Sequence, residues 1–295
     1  MKMRAAVLEE FGKPLVVQEV DLSEPMAGEV LVRLVACGVC HTDMYTASGV
    51  DPSGYAPTVL GHEGAGVVEA VGEDVASLAV GDHVVTLFSP QCRECIHCRS
   101  PKTNLCLAIR EQQNLGYLPD GTTRLSRDGE PVRHFMGTST FAEYTVMPEI
   151  ALAKVTPEAP LDHAALFACG LSTGIGAALN TAQVESGATC AVFGAGLVGL
   201  GAVIGCRLAG AERIICLDLS DDRLARARHH GASVAGSSFG GVKGRDQVPQ
   251  YVERALAGEI DVAPFISHRI SLDEVNRGFE LMEAQDGIRS VIEFG

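Results

Sequence analysis

At 295 residues, with 46% apolar and 20% charged side chains, the chain is long enough for two domains with real cores and too apolar for disorder. Its formal net charge of −14 repels phosphate backbones, which argues against nucleic acid as a partner. The longest weakly polar run, residues 191–206, is Gly-rich and shorter than the roughly 20 apolar residues of a bilayer span, so no membrane partner is expected.

The opening, MKMRAAVLEEFGK, holds no apolar stretch of secretory length and no small-residue cleavage site. A cytoplasmic protein with reduced thiols is therefore expected. From Met1 to about Gly170 the pattern is mostly β. Residues 30–35 (VLVRLV), 66–71 (GVVEAV) and 83–87 (HVVTL) are β-branched runs, separated by Asp-Pro, Gly-Glu-Asp and Gly-Asp turn signals. Many short strands with frequent glycine predict a barrel-like or irregular β domain.

Two constellations lie in this region. CGVCHTD at 37–43 and GHE at 61–63 stand about twenty residues apart, and Cys169 follows in CGLSTG. Together they supply two thiolates and an imidazole beside the acids Asp43 and Glu63. Asp43 is placed to accept the proton of the free His62 ring nitrogen and so fix its tautomer. Three protein ligands on zinc leave a fourth position for substrate. The second constellation is CRECIHCRSPKTNLC, which puts Cys92, Cys95, Cys98 and Cys106 within fifteen residues. Four thiolates with no open position suit structural zinc, although an iron–sulfur cluster takes the same donors, and four unconnected thiols are the bland alternative.

The texture changes near Gly170. Residues 190–193 form a short buried-strand candidate, followed by GAGLVG at 194–199 and a small-residue helix through Leu208. Residues 214–219 (IICLDL) predict a second strand, and 221–229 a helix with an Arg-rich face ended by Gly231. This alternation is α/β. Gly194, Gly196 and Gly199 match a G-x-G-x-x-G between strand and helix, where glycines let backbone approach a pyrophosphate at a helix N-terminus. Asp218 ends the next strand, nineteen residues after Gly199. Its carboxylate suits ribose hydroxyls and repels a 2′-phosphate, which predicts NAD rather than NADP. Arg223 lies one turn into the following helix, where it flanks the adenosine ribose. Beyond 233–238 (SVAGSS) the chain predicts a helix over 247–257, an extended piece at 265–270, a helix over 273–284 and a strand-like IRSVIEF at 288–294.

GHEGAGVVEAVGEDV at 61–75, CGVCHTD, the four-cysteine loop and GAGLVG resemble, in order and spacing, the zinc-containing medium-chain alcohol dehydrogenases. HTDMYTASGVDPSGY, SPKTNLC, MGTSTFAEYTV and SSFGGVKGRDQVPQYV resemble the class III branch, the thiol-dependent formaldehyde dehydrogenases acting on S-hydroxymethylglutathione and long-chain alcohols. The resemblance implies an α/β plus β fold. It assigns a GroES-like, β-rich catalytic domain to 1–170, a truncated Rossmann-type domain to 171–236 and a C-terminal return to the catalytic domain at 237–295. It implies two zinc ions, one catalytic and one structural, and NAD as cofactor. Position by position, Cys40, His62 and Cys169 match the catalytic zinc ligands, and Glu63 the nearby carboxylate that approaches the metal. Cys92, Cys95, Cys98 and Cys106 match the structural site. His41 and Arg289 match positions that contact cofactor phosphates. Thr42 matches the hydroxyl that relays the alcohol proton, and Tyr45 stands where many relatives end that relay with histidine. Arg110 matches the class III arginine that meets a glutathione carboxylate, and Asp51 an acidic position that holds the peptide amine. Ser53 replaces the second acid of that subsite. Cys37, Cys190, Cys206 and Cys216 match no ligand and read as packing.

A complete dinucleotide fold has two βαβαβ halves. After Gly187 this chain offers two strands and two helices, then passes from GAS directly to VAGSSFGG. There the family carries a long segment with the rest of the parallel sheet, most of the nicotinamide-side wall and much of the contact that makes its members dimers or tetramers. Two readings follow. One is a zinc- and NAD-dependent dehydrogenase of primary alcohols or S-hydroxymethyl-thiol adducts, a route of formaldehyde detoxification. The other is a catalytically impaired zinc-binding remnant or truncated isoform of it.

Overall fold

The computed structural model describes residues 1–100, 103–218 and 239–295. The helix expected over 221–229, Arg223 and the junction after Ser233 lie outside the described residues. The strands are β1 (Lys2–Leu8), β2 (Val16–Leu22), β3 (Glu29–Gly38), β4 (Thr58–Val59), β5 (Glu63–Val71), β6 (His83–Thr86) and β7 (Leu125–Arg127). They continue with β8 (Glu130–His134), β9 (Tyr144–Pro148), β10 (Leu152–Val155), β11 (Thr189–Phe193), β12 (Arg213–Leu217), β13 (Ile266–Ile270) and β14 (Arg289–Glu293). The helices are α1 (His41–Ala47), α2 (Ile96–Arg99), α3 (Arg110–Gln113), α4 (Leu161–Ala164), α5 (Gly170–Gly176), α6 (Leu197–Leu208), α7 (Gly244–Leu256) and α8 (Val275–Glu283).

A closed barrel runs β1-β2-β7-β8-β4, and a mixed sheet runs β10-β6-β5-β3-β14-β13, with β9 pairing the other part of β3. β3 is the spine of the mixed sheet. Its face of Val30, Val32, Leu34 and Ala36 is buried, while Leu31, Arg33 and Val35 on the other face are half-buried, the alternation of a strand with one face in the core. β3 pairs antiparallel with β5 in a register that sets Gly38 opposite Glu63, with bulges between Leu31/Val32 and Leu34/Ala36. β14 pairs with β3 through Val291↔Gly38 and Ile292↔Cys37. The ends of β3, β5 and β14 therefore meet at one point, where the functional side chains gather.

β11 and β12 form a separate two-stranded parallel sheet, with Thr189 opposite Arg213 and Phe193 opposite Leu217. Among the described residues no further strand joins it, and Phe193 stays 64% exposed. A two-stranded sheet is marginal by itself; α6 packs on it, and α5 packs on α6. Those two helices approach nearly backbone to backbone. A Cβ on Gly174 would fall 2.0 Å from the Val198 carbonyl oxygen, and one on Gly201 2.9 Å from that of Leu171. Only glycine admits such a crossing, and it fixes α5, which follows Cys169, against the helix that follows GAGLVG. Among the described residues no single helix is long and apolar enough to cross a membrane.

Candidate metal and cofactor site

Cys40 leaves the end of β3 at the start of α1, His62 and Glu63 open β5, and Cys169 precedes α5. The donor atoms of Cys40, His62, Glu63 and Cys169 all lie within 4.8 Å of one another. His62 is 1% exposed, and its Nδ1 donates to Asp43 Oδ1 at 3.0 Å. That bond assigns the lone pair to Nε2, which is buried with no hydrogen-bond partner. Asp43, 0% exposed, also accepts the backbone N–H of Cys40 at 3.0 Å and of Gly61 at 3.1 Å. One carboxylate thus ties both metal-site segments together. Burial opposes a charge on His62 while Asp43 favours one and draws the imidazole up, so a metal ion at Nε2 competes there with a proton.

The Cys169 thiol donates to the Cys40 sulfur, which holds Cys40 well below the usual thiol range and Cys169 well above it. Burial pushes the Glu63 carboxyl up to about 8, against the pull of Arg289. Arg289 Nη2 stands 3.3 Å from Glu63 Oε1, and its Nη1 donates to the Val39 carbonyl. Arg289, read from sequence as a cofactor-phosphate contact, is thus a buried cation at the floor of the cleft. A buried imidazole nitrogen and carboxylate without hydrogen-bond partners, beside two sulfurs, are costly alone and fit a divalent cation.

The second cluster is equally well shaped for a metal. Cys92 Sγ lies 3.8 Å from Cys98 Sγ, and Cys95 Sγ 3.9 Å from Cys106 Sγ. Sulfurs at about 2.3 Å from the centre of a tetrahedron are about 3.8 Å apart, so the four fit zinc. Asp246 on α7 fastens this lobe, accepting from Arg93 Nη2 and Gln91 Nε2, both at 2.8 Å. Cys37 is buried outside both clusters, its Sγ 3.0 Å from Thr140 Oγ1.

A cavity of about 620 Å³ joins the first cluster to the glycine loop. Cys40, His41, Thr42, Cys169 and Arg289 line one part, and Gly194, Gly196 and Gly199 another. Gly194 has φ 92°, the left-handed region, and a Cβ on Gly199 would fall 1.7 Å from the Gly194 carbonyl oxygen. A Cβ on Gly196 would meet nothing within 4 Å. The space over Gly196 is open to a ligand at the N-terminus of α6. Asp218 Oδ2 accepts the Ala195 N–H at 2.7 Å, so the carboxylate stands against the loop.

A smaller cleft of about 90 Å³ is lined by Asp51, Ser53, Tyr55, Phe88, Arg110, Gln113, Asn114, Phe135 and Met136. Asp51 and Arg110, distant in sequence, thus line one cleft. Ser53 serves Asp51, giving Oδ1 its N–H at 2.9 Å and its hydroxyl at 2.7 Å, while Thr46 Oγ1 donates to Oδ2 at 2.8 Å. The Phe88 and Phe135 rings stand edge-on to His62, with centroids 5.8 and 5.9 Å away. Thr42 Oγ1 lies 3.7 Å from Cys40 Sγ. Tyr45, expected near the substrate, is 48% exposed on α1 and lines neither cavity. Sequence reasoning missed Phe88, Phe135 and Gln113, since single aromatics and amides carry no spacing signature.

Residues 26–157 match the alcohol dehydrogenase GroES-like domain. The chain is 43% identical over 369 aligned positions to S-(hydroxymethyl)glutathione dehydrogenase of Escherichia coli O157:H7, covering 100% of both sequences. The enzyme of the same name from Shigella sonnei strain Ss046 gives the same 43% and the same coverage. Those 369 positions less the 295 residues here leave 74 positions without a residue of this chain. A solved alcohol dehydrogenase zinc-binding domain protein from Burkholderia ambifaria superposes with a TM-score of 0.91 at 28% identity, over 100% of this chain and 99% of that one. Benzyl alcohol dehydrogenase from Acinetobacter calcoaceticus superposes with a TM-score of 0.88 at 24% identity, over 100% of each chain.

Proposed function

This chain belongs to the zinc-dependent alcohol dehydrogenase family, and from that premise we propose that it oxidises the S-hydroxymethyl adduct of glutathione, and long primary alcohols, passing a hydride to NAD. The observation that carries the proposal is the buried set Cys40, His62, Glu63 and Cys169 at one part of a cavity whose other part is the glycine loop. Cys40, His62 and Cys169 would hold the catalytic ion, and Asp43 would keep His62 Nε2 aimed at it. Bound zinc supplies Lewis acidity that lowers the pKa of an alcohol oxygen. Thr42 takes the hydroxyl proton outward. Glu63, kept near by Arg289, offers a carboxylate to the same ion. Phe88 and Phe135 keep water from the His62 side. Gly194, Gly196 and Gly199 admit the pyrophosphate to the N-terminus of α6. Asp218 accepts from the ribose hydroxyls and opposes a 2′-phosphate, and His41 and Arg289 meet cofactor phosphates. Arg110 pairs with a carboxylate of the thiol, its planar fork suited to that group, and Asp51 with the amine. Tyr45 occupies the outer end of α1, past Thr42. Cys92, Cys95, Cys98 and Cys106 hold a second, structural zinc. Ten cysteines with no disulfide between them support a cytoplasmic setting.

The test is NADH absorbance with octanol, and with formaldehyde plus glutathione, alongside metal analysis. Two zinc ions per chain and turnover of both substrates are expected. A folded two-zinc protein without turnover would favour the second reading, a zinc-binding remnant, which the 74 unmatched positions support.

A further inference from the structure

The cleft that Arg110 lines together with Phe88 and Phe135 is built across three separate segments, and one side chain joins them. Gln113 is 5% exposed, and its Nε2 donates to the carbonyl of Phe88 at 2.8 Å and to that of Met136 at 2.6 Å. Both protons of one amide are thereby used on two backbone oxygens. Those oxygens belong to the segments that carry Phe88 and Phe135, the rings edge-on to His62. Gln113 closes the short helix that Arg110 opens, and residues three apart on a helix share a face. The Arg110 guanidinium has no hydrogen bond or ion pair among the described residues, so nothing but its helix holds it over the cleft. A second tie backs the first. Tyr55 Oη donates to the His134 carbonyl at 2.8 Å and stands 3.3 Å from the Gln113 carbonyl oxygen. Burial pushes the Tyr55 phenol up to about 12, so it remains a donor at neutral pH. Its ring lies under the Arg133 guanidinium, 5.6 Å from the centroid.

We propose that Gln113 is a positioning residue for the thiol-adduct substrate: its bonds to Phe88 and Met136 set the span between the Arg110 guanidinium and the two rings that stand against His62, and so the length of thiol the site accepts. The proposal rests on the thiol-adduct reading above. Its chemistry is simple. A carboxylate-bearing thiol must reach Arg110 with one end and the His62 side with the other, so a wall free to slide costs binding even when every contact group is present. Gln113 touches neither end, and it acts only through Arg110.

The experiment is titration calorimetry of the zinc-loaded chain with S-methylglutathione, an adduct analogue with no hydroxyl to oxidise. Gln113→Met keeps the side-chain length and loses both donated protons. It is expected to weaken binding about tenfold, which converts to about 1.4 kcal/mol, whereas in an Arg110→Ala background it should change binding less than about twofold, the non-additivity of residues acting as a unit. Gln113→Glu, an isostere that cannot donate to two carbonyls, repeats the test if the Met variant melts early. An unchanged affinity in the single variants, or an equal loss with and without Arg110, overturns the assignment and leaves the thiol-adduct reading standing. Wild-type chain that oxidises octanol yet does not bind S-methylglutathione overturns the thiol-adduct reading itself, and the Gln113 assignment with it.

Discussion

Asp43 accepts three hydrogen bonds with no exposure to water, from His62, Cys40 and Gly61. An asparagine there cannot take all three, because its amide nitrogen carries protons of its own. Asp43→Asn is expected to lower zinc affinity about 10- to 100-fold, the usual cost of loosening a ligand's support, read by competition with a chromogenic chelator; unchanged affinity would dissociate Asp43 from the metal. His134 behaves differently. Burial, then the Arg124 cation, push its pKa from 6.5 down to about 3. Below pH 6.5 the unfolded chain binds a proton there that the folded chain refuses, so stability present above that pH is lost as pH falls toward 3. The slope is about 1.4 kcal/mol per pH unit. His134→Gln should remove it in urea titrations between pH 6.5 and 4, and parallel losses in variant and parent would refute the assignment. The two donor clusters were legible because thiols and imidazoles are scarce and recur at close spacing along the chain. His134 and Gln113 were not, because their partners are set by packing between segments, as when Gln113 reaches back 25 positions to Phe88.

The loop between β11 and α6 separates two roles of glycine. Gly199 is required by its own chain, since a Cβ there collides with the Gly194 carbonyl. Gly196 is required only by what lies outside, since its Cβ meets nothing within 4 Å. Gly196→Ala should therefore leave the melting temperature unchanged and weaken NAD about tenfold or more, roughly 1.4 kcal/mol. Gly199→Ala should lower both. Calorimetry and thermal melts decide this, and full NAD affinity in the Gly196→Ala chain would place the pyrophosphate elsewhere. The elements β3, β5, β6, α6 and β14 follow the patterns read from sequence, and β13 lies where an extended piece was expected; β11 is a strand as expected but not a buried one, since no described strand covers its outer edge and Phe193 stays exposed. The helix expected to start at residue 247 starts at Gly244 instead. Gly244 reads as a breaker in isolation, yet a Cβ there would fall 2.6 Å from Leu87 Cδ1, so the glycine serves a close approach and not a turn. The barrel β1-β2-β7-β8-β4 was not legible strand by strand. Its β4 has two residues and β7 three, too few for a period to show.

At the scale of the molecule, stability is divided unevenly. The mixed sheet is continuous across six strands, with β9 added beside β3, while β11 and β12 pair only with each other among the described residues. Opening free energies differ accordingly between a deep sheet and a marginal one. Amide hydrogen exchange is expected to be about 100-fold faster over Thr189–Phe193 than over Val30–Val35, a gap of about 2.7 kcal/mol, and NAD should narrow it; equal protection would show a cofactor half as firmly held as the rest. β14 has a different consequence. It ends at Glu293 in a chain of 295 residues, yet it covers one side of β3 and brings Arg289 to Glu63. A chain cut just before Arg289 would still carry both donor clusters, but that edge of β3 would stand unpaired beside Cys37 and Gly38, and Glu63 would be left buried without its guanidinium neighbour.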